Sequence, residues 1–106
     1  MNIDKMPAGQ ELDKLIAEKV LGQTDFSHIE SYSADIASTW KIINLMRATG
    51  WFWSISDNVI GDICCHFGRD EWITSNLYAS RALPQSCADT PSLAICRAAL
   101  KAINET

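Results

Sequence analysis

Between Trp51 and Tyr78, apolar and polar residues alternate in three short runs, "WFWSIS", "VIGDICCHFG" and "EWITSNLY", with almost no chain between them. Side chains along a strand point alternately to opposite faces, so each run reads as a strand with two distinct sides. Parallel strands need a crossover of a dozen residues or more, which these connections do not provide. The stretch therefore predicts a three-stranded antiparallel meander, with turns at Asp57 and Asn58 and around Gly68 to Asp70. Trp51, Trp53 and Ile55 share one face of the first strand. On the second, Ile63, Cys65 and Phe67 oppose Asp62, Cys64 and His66; on the third, Ile73, Ser75 and Leu77 oppose Trp72, Thr74, Asn76 and Tyr78. A slip of one residue in register would exchange all of these faces.

Helical periodicity brackets the strands. In "PAGQELDKLIAEKVLG", Leu12, Leu15, Ile16 and Val20 recur at helical spacing, Glu11, Asp13, Lys14 and Lys19 lie off that stripe, and Gly22 supplies a stop. A polar connector, "QTDFSHIESY", follows, tacked down by Phe26 and Ile29. The second helix is expected to start at Ser33 as N-cap, with Asp35 in its first turn, an apolar stripe of Ile36, Trp40 and Ile43, and a stop at Gly50. The last helix is signalled by Thr90 as N-cap and Pro91 at the first helical position, with Ile95, Ala98, Ala102 and Ile103 on a close-packing face. The order helix, helix, three strands, helix defines an α+β class in which helices cover one or both faces of the sheet.

A length of 106 residues fits one domain, 1–106, and 47% hydrophobic with 21% charged residues favours a globular chain. A net charge of −4 argues against gripping nucleic acid, which needs a basic face. The first twenty residues are charged throughout, which excludes a signal peptide or membrane span there and points to an intracellular chain. For such a chain Cys64, Cys65, Cys87 and Cys96 are expected as reduced, buried thiols, and neighbouring Cys64 and Cys65 cannot bridge to each other across two strand faces.

The cluster "DICCHFG" invites two chemical readings. Cys64 and His66 share a face and could be joined by Cys87 or Asp62 around zinc, but there is no CxxC pair, and no metal is expected. A Cys64–His66 nucleophile pair would need an orienting group and a lowered thiol pKa. No phosphate loop, paired-carboxylate motif or Ser-His-Asp signature is present, and neither catalytic residues nor a cofactor are expected. Trp51, Trp53, Trp72 and Tyr78 either fill the core under a helix or form a stacking wall for a ring. Arg97 either pairs on the surface or, with the helix start at Thr90, Pro91 and Ser92, holds an anion.

Taken in order, "PAGQELDKLIAEKVLG", "YSADIASTW", a tryptophan-bearing hairpin and "ADTPSLAICRAALKAI" resemble the phage ABA sandwich domain family over nearly the whole chain. Its recurrent blocks match Glu11-Leu12-Asp13, Tyr32-Ser33-Ala34-Asp35-Ile36 and Ala94-Ile95-Cys96-Arg97-Ala98-Ala99-Leu100. The resemblance implies an α-β-α sandwich and a counter-defence protein of the host cytoplasm. Such a protein would sequester, without cleaving it, a nucleotide-derived immune messenger of the ADP-ribose type, as a homo-oligomer. On the matching blocks, Tyr32 would stack on a ring, Arg97 would hold phosphate, and Ser33 and Asp35 would contact the polar end. Trp53, Trp72 and His66 join the expected site from the residue reading alone. The alternatives are an accessory protein that binds a host protein through exposed aromatics, and an enzyme that degrades the messenger with His66 as acid or base.

Overall fold

A computed structural model of the chain describes residues 2–57, 61–69 and 85–104. A 3-10 turn, Ile3–Lys5, precedes helix α1, Gln10–Leu15, which runs directly into a π turn, Ile16–Val20. Then come α2, Ile36–Ala48, the strands β1, Trp51–Asp57, and β2, Ile63–Arg69, a short strand β3, Gln85–Ala88, and α3, Pro91–Asn104. The three strands form one antiparallel sheet in the order β1-β2-β3. The class is α+β.

The hairpin follows from alternation. Trp53 pairs with Phe67 and Ile55 with Cys65, so the face read from the sequence as apolar is one continuous surface. Phe67 and Cys65 are fully enclosed and Trp51 is buried, whereas Phe52, on the other face, is 52% exposed. The third strand differs from the expectation. The run 71–78, with Trp72 and Tyr78, lies outside the described residues, and the segment that pairs with β2 is Gln85–Ala88, placing Cys87 opposite Cys64 and Ser86 opposite Cys65. Nothing in "QSCA" alternates strongly enough to announce a strand.

Helix α3 packs on the apolar face of β2 and β3 and also meets α2, the π turn and the 3-10 turn. Leu93 to Cys96 and Ala98 to Leu100 are all buried, because alanines let backbone approach from more than one side. Its start is as read: Leu93 N–H donates to Thr90 Oγ1 at 3.3 Å. The core cluster takes Trp51, Cys65, Phe67 and Ala88 from this sheet face.

Helix α2 corrects two expectations. Its N-cap is Asp35, with extended backbone and a side chain that accepts from Ala37 N–H at 3.1 Å, while Ser33 lies in the preceding turn. Ser33 is drawn out of the capping role by a stronger partner, described below. The expected stripe of Ile36, Trp40 and Ile43 is the flank of the buried arc: Ile43 is enclosed, Ile36 and Trp40 are each 47% exposed, and the arc centres on Thr39, Ile42 and Met46. Thr39 can sit inside because its hydroxyl donates to the carbonyls of Tyr32, at 2.7 Å, and Asp35, at 2.9 Å. The helix stops at Gly50, whose φ of +98° suits glycine.

Candidate functional site

A buried polar cluster joins two sequence blocks twenty residues apart. Asp13, 6% exposed, lies on α1, and Ser33, fully buried, lies in the turn before α2. Ser33 donates twice to Asp13 Oδ1, from its backbone N–H at 2.8 Å and from its hydroxyl at 2.6 Å. Its Oγ in turn accepts from Gly9 N–H at 3.0 Å, and Gly9 stands at φ +151°, a conformation that side chains disfavour. A carboxylate is expensive to bury without donors, and these bonds supply them.

All the bonding falls on one oxygen. Among the described residues Asp13 Oδ2 has no hydrogen-bond partner, and Asp13 lines an open space beside α1. That space is a groove of about 410 Å³ lined by Gln10, Asp13, Lys14, Phe26, Ile29 and Ser31, within the size range of small-molecule sites. The connector 23–31 forms one wall, and the Lys14 ammonium sits 5.4 Å from the Phe26 ring centre. Directly after α1 the backbone widens into the π turn, where Leu21 N–H reaches back to Ile16 carbonyl at 3.1 Å. Such turns concentrate at functional sites. The groove thus offers a carboxylate, a cation at the rim, two neutral polar side chains and an apolar wall.

The expected site residues that are described lie at several places in the fold. Ser33 lies behind the groove as the residue that orients Asp13. Tyr32 is buried at 4% exposure, and burial together with the Glu30 charge raises its phenol pKa. Asp35 is occupied as the α2 N-cap. Arg97 spends three donors on main chain: Nε and Nη2 reach Met6 carbonyl at 3.0 and 2.7 Å, and Nη1 reaches Cys87 carbonyl at 3.2 Å. Trp53 is half-buried and meets Trp40 edge to face with ring centres 5.6 Å apart. His66 lies on the sheet face away from the core, between Ser54 and Gln85, and Trp72 lies outside the described residues. Asp13 was read as solvent-facing polarity and Phe26 and Ile29 as tacking residues. The one available signal for Asp13 was its place in the block Glu11-Leu12-Asp13.

The thiol expectation is half corrected. Cys65 and Cys96 are free and buried, and burial pushes the Cys65 thiol up to about 12 and that of Cys96 upward as well. Cys64 and Cys87, however, form a disulfide, because the unforeseen β3 sets them directly opposite each other. With its sulfur so engaged, Cys64 is unavailable as a zinc ligand or nucleophile beside His66. Among the described residues no three of His, Cys, Asp and Glu gather as a metal site. No described helix is long and apolar enough to cross a membrane.

The fold and groove define a small α+β protein with a ligand-sized recess beside its first helix. Comparison with protein-family models, curated proteins and solved structures finds no match.

Proposed function

We propose that this chain binds and holds, without transforming it, a nucleotide-derived small molecule of the ADP-ribose type. In the sense of the phage ABA sandwich resemblance, it would do so as a counter-defence protein in a host cytoplasm. The observation that carries the reading is that Asp13, whose Oδ2 has no hydrogen-bond partner among the described residues, lines a groove together with Lys14. A carboxylate oxygen fixed from behind is the usual acceptor for a ribose diol, and the neighbouring ammonium suits a phosphate. Phe26 and Ile29 offer the ring an apolar wall. A net charge of −4, with Lys14 the one cation in the groove lining, favours a ligand recognised mainly through its diol and ring. In this reading Ser33 is a positioning residue and Arg97 a structural clamp. The α-β-α sandwich belongs to the same proposal, with a further layer on the sheet face of Ser54, His66 and Gln85.

Calorimetric titration with ADP-ribose and cyclic ADP-ribose tests it. Binding is expected, with at least a tenfold loss in Asp13→Asn, a variant that keeps the acceptor for Ser33. Absence of heat with every such compound sinks the proposal. Heat denaturation of the complex should return the ligand intact, whereas a cleaved product would establish the enzyme reading. A second reading is favoured by the exposure of Ile36, Trp40, Phe52 and Ile55: an accessory protein that docks on a host protein. It predicts co-purification of a host factor and no small-molecule heat.

A further inference from the structure

The Cys64–Cys87 bond joins directly opposed residues of β2 and β3, whose Cα atoms stand 4.0 Å apart. Strand pairing sets that spacing, and it is shorter than disulfides usually span, a mismatch that makes a bond easier to reduce. The bond lies on the sheet face away from the core: among the described residues the core cluster takes Cys65 but neither Cys64 nor Cys87. Cys87 is half-buried whereas Cys64 is 5% exposed, so an external thiol reaches the sulfur of Cys87 first. The Gln85 side-chain amide donates to that sulfur at 3.5 Å, which favours its thiolate. Accessible and constrained disulfides are the exchangeable ones, in contrast to enclosed structural bonds.

The bond holds more than a short strand. Ser86 Oγ donates to Asp4 at 2.7 Å, and Lys101 Nζ reaches both Asp4, at 3.0 and 3.1 Å, and the Gln85 carbonyl, at 2.6 Å. Arg97 spans the carbonyls of Cys87 and Met6. β3 and the 3-10 turn Ile3–Lys5 are therefore one unit docked on α3, and the disulfide ties that unit covalently to β2. We propose that Cys64–Cys87 is a thiol-exchange switch that sets how firmly this unit is held, locked when oxidised and loosened when reduced by a small thiol of the glutathione class. In the exchange an external thiolate attacks Cys87 Sγ and forms a mixed disulfide, while the electron pair of the old S–S bond leaves on Cys64 Sγ, which takes a proton. A second external thiolate attacks the outer sulfur of the mixed disulfide, and Cys87 leaves as a thiolate that is then protonated. Two thiols become one external disulfide, and two electrons and two protons end on Cys64 and Cys87. Cys65 and Cys96 do not compete, because burial keeps both protonated.

The switch is independent of any ligand in the groove at Asp13, so either reading can fail without the other. Treating the folded chain with millimolar reduced glutathione, then with iodoacetamide, and locating the adducts by mass spectrometry tests it. Adducts are expected on Cys64 and Cys87 and not on Cys65 or Cys96, with unchanged circular dichroism, and oxidised glutathione should restore the bond. In the reduced chain, hydrogen exchange followed by nuclear magnetic resonance should be at least tenfold faster in β3 and at the Lys5 and Met6 amides, which donate within the 3-10 turn. Cys64→Ser/Cys87→Ser should show the same acceleration without any thiol present. Adducts that form only after unfolding in denaturant overturn the proposal, as does reduction that leaves exchange in both segments unchanged.

Discussion

Replacing Ser33 with alanine tests whether the buried Asp13–Ser33 cluster holds the first helix to the rest of the fold. The substitution removes the hydroxyl that donates to Asp13 at 2.6 Å and leaves Gly9 N–H without its acceptor. A hydrogen bond to a charged group contributes about 1.5–3 kcal/mol, and stranding a partly buried N–H costs about 1 kcal/mol. The main-chain donation from Ser33 to Asp13 survives. The expected loss is therefore about 3 kcal/mol, or about 12 °C in Tm for a domain near this size. Urea unfolding followed by far-ultraviolet circular dichroism measures it. An Asp13→Asn background should shrink the loss by about 1 kcal/mol, because the bond is then between neutral groups. A change below about 0.5 kcal/mol at unchanged m-value would refute the reasoning and make Ser33 a passive filler.

Three further outcomes are expected. Reducing Cys64–Cys87, which closes a 23-residue separation, should lower stability by about 3.4 kcal/mol on the chain-entropy model; unfolding curves that coincide with and without reductant would contradict this. Burial raises the Cys65 thiol from 9.0 to about 12, so the folded chain keeps its proton when the unfolded chain loses it. That contribution is fully present below pH 9 and is lost as pH rises towards 12, by up to about 1.4 kcal/mol per pH unit. Cys96 adds in the same direction, and the Cys65→Ala/Cys96→Ala variant should show a visibly flatter alkaline limb. Arg97→Met keeps the apolar stem but drops the bonds to Met6 and Cys87; it should cost about 2–3 kcal/mol while leaving ligand affinity unchanged, and a selective loss of affinity would return Arg97 to the binding site.

What the sequence revealed was governed by near neighbours. The hairpin faces, the α3 start at Thr90 and Pro91, and the stop at Gly50 depend on residues a few positions apart, so they could be read from the chain. β3 could not, since four residues such as "QSCA" become a strand only against a partner already in place, and the disulfide was hidden with it. Asp13 was misjudged for the same reason: its donors lie twenty residues away. Ser33 carries the signature of an N-cap, and only that distant carboxylate explains why Asp35 caps the helix instead. The groove, made where α1 meets a connector without periodicity, had no local signal at all.

Helix α3 sits between the sheet and the other helical segments, and it comes last among the described elements. A chain leaving the ribosome would thus expose Ile16, Ile42, Met46, Cys65 and Phe67 until Pro91–Asn104 emerges to cover their elements. Folding is held back to the close of translation of this segment, and until then the nascent chain is a client for whatever chaperones attend the exit tunnel.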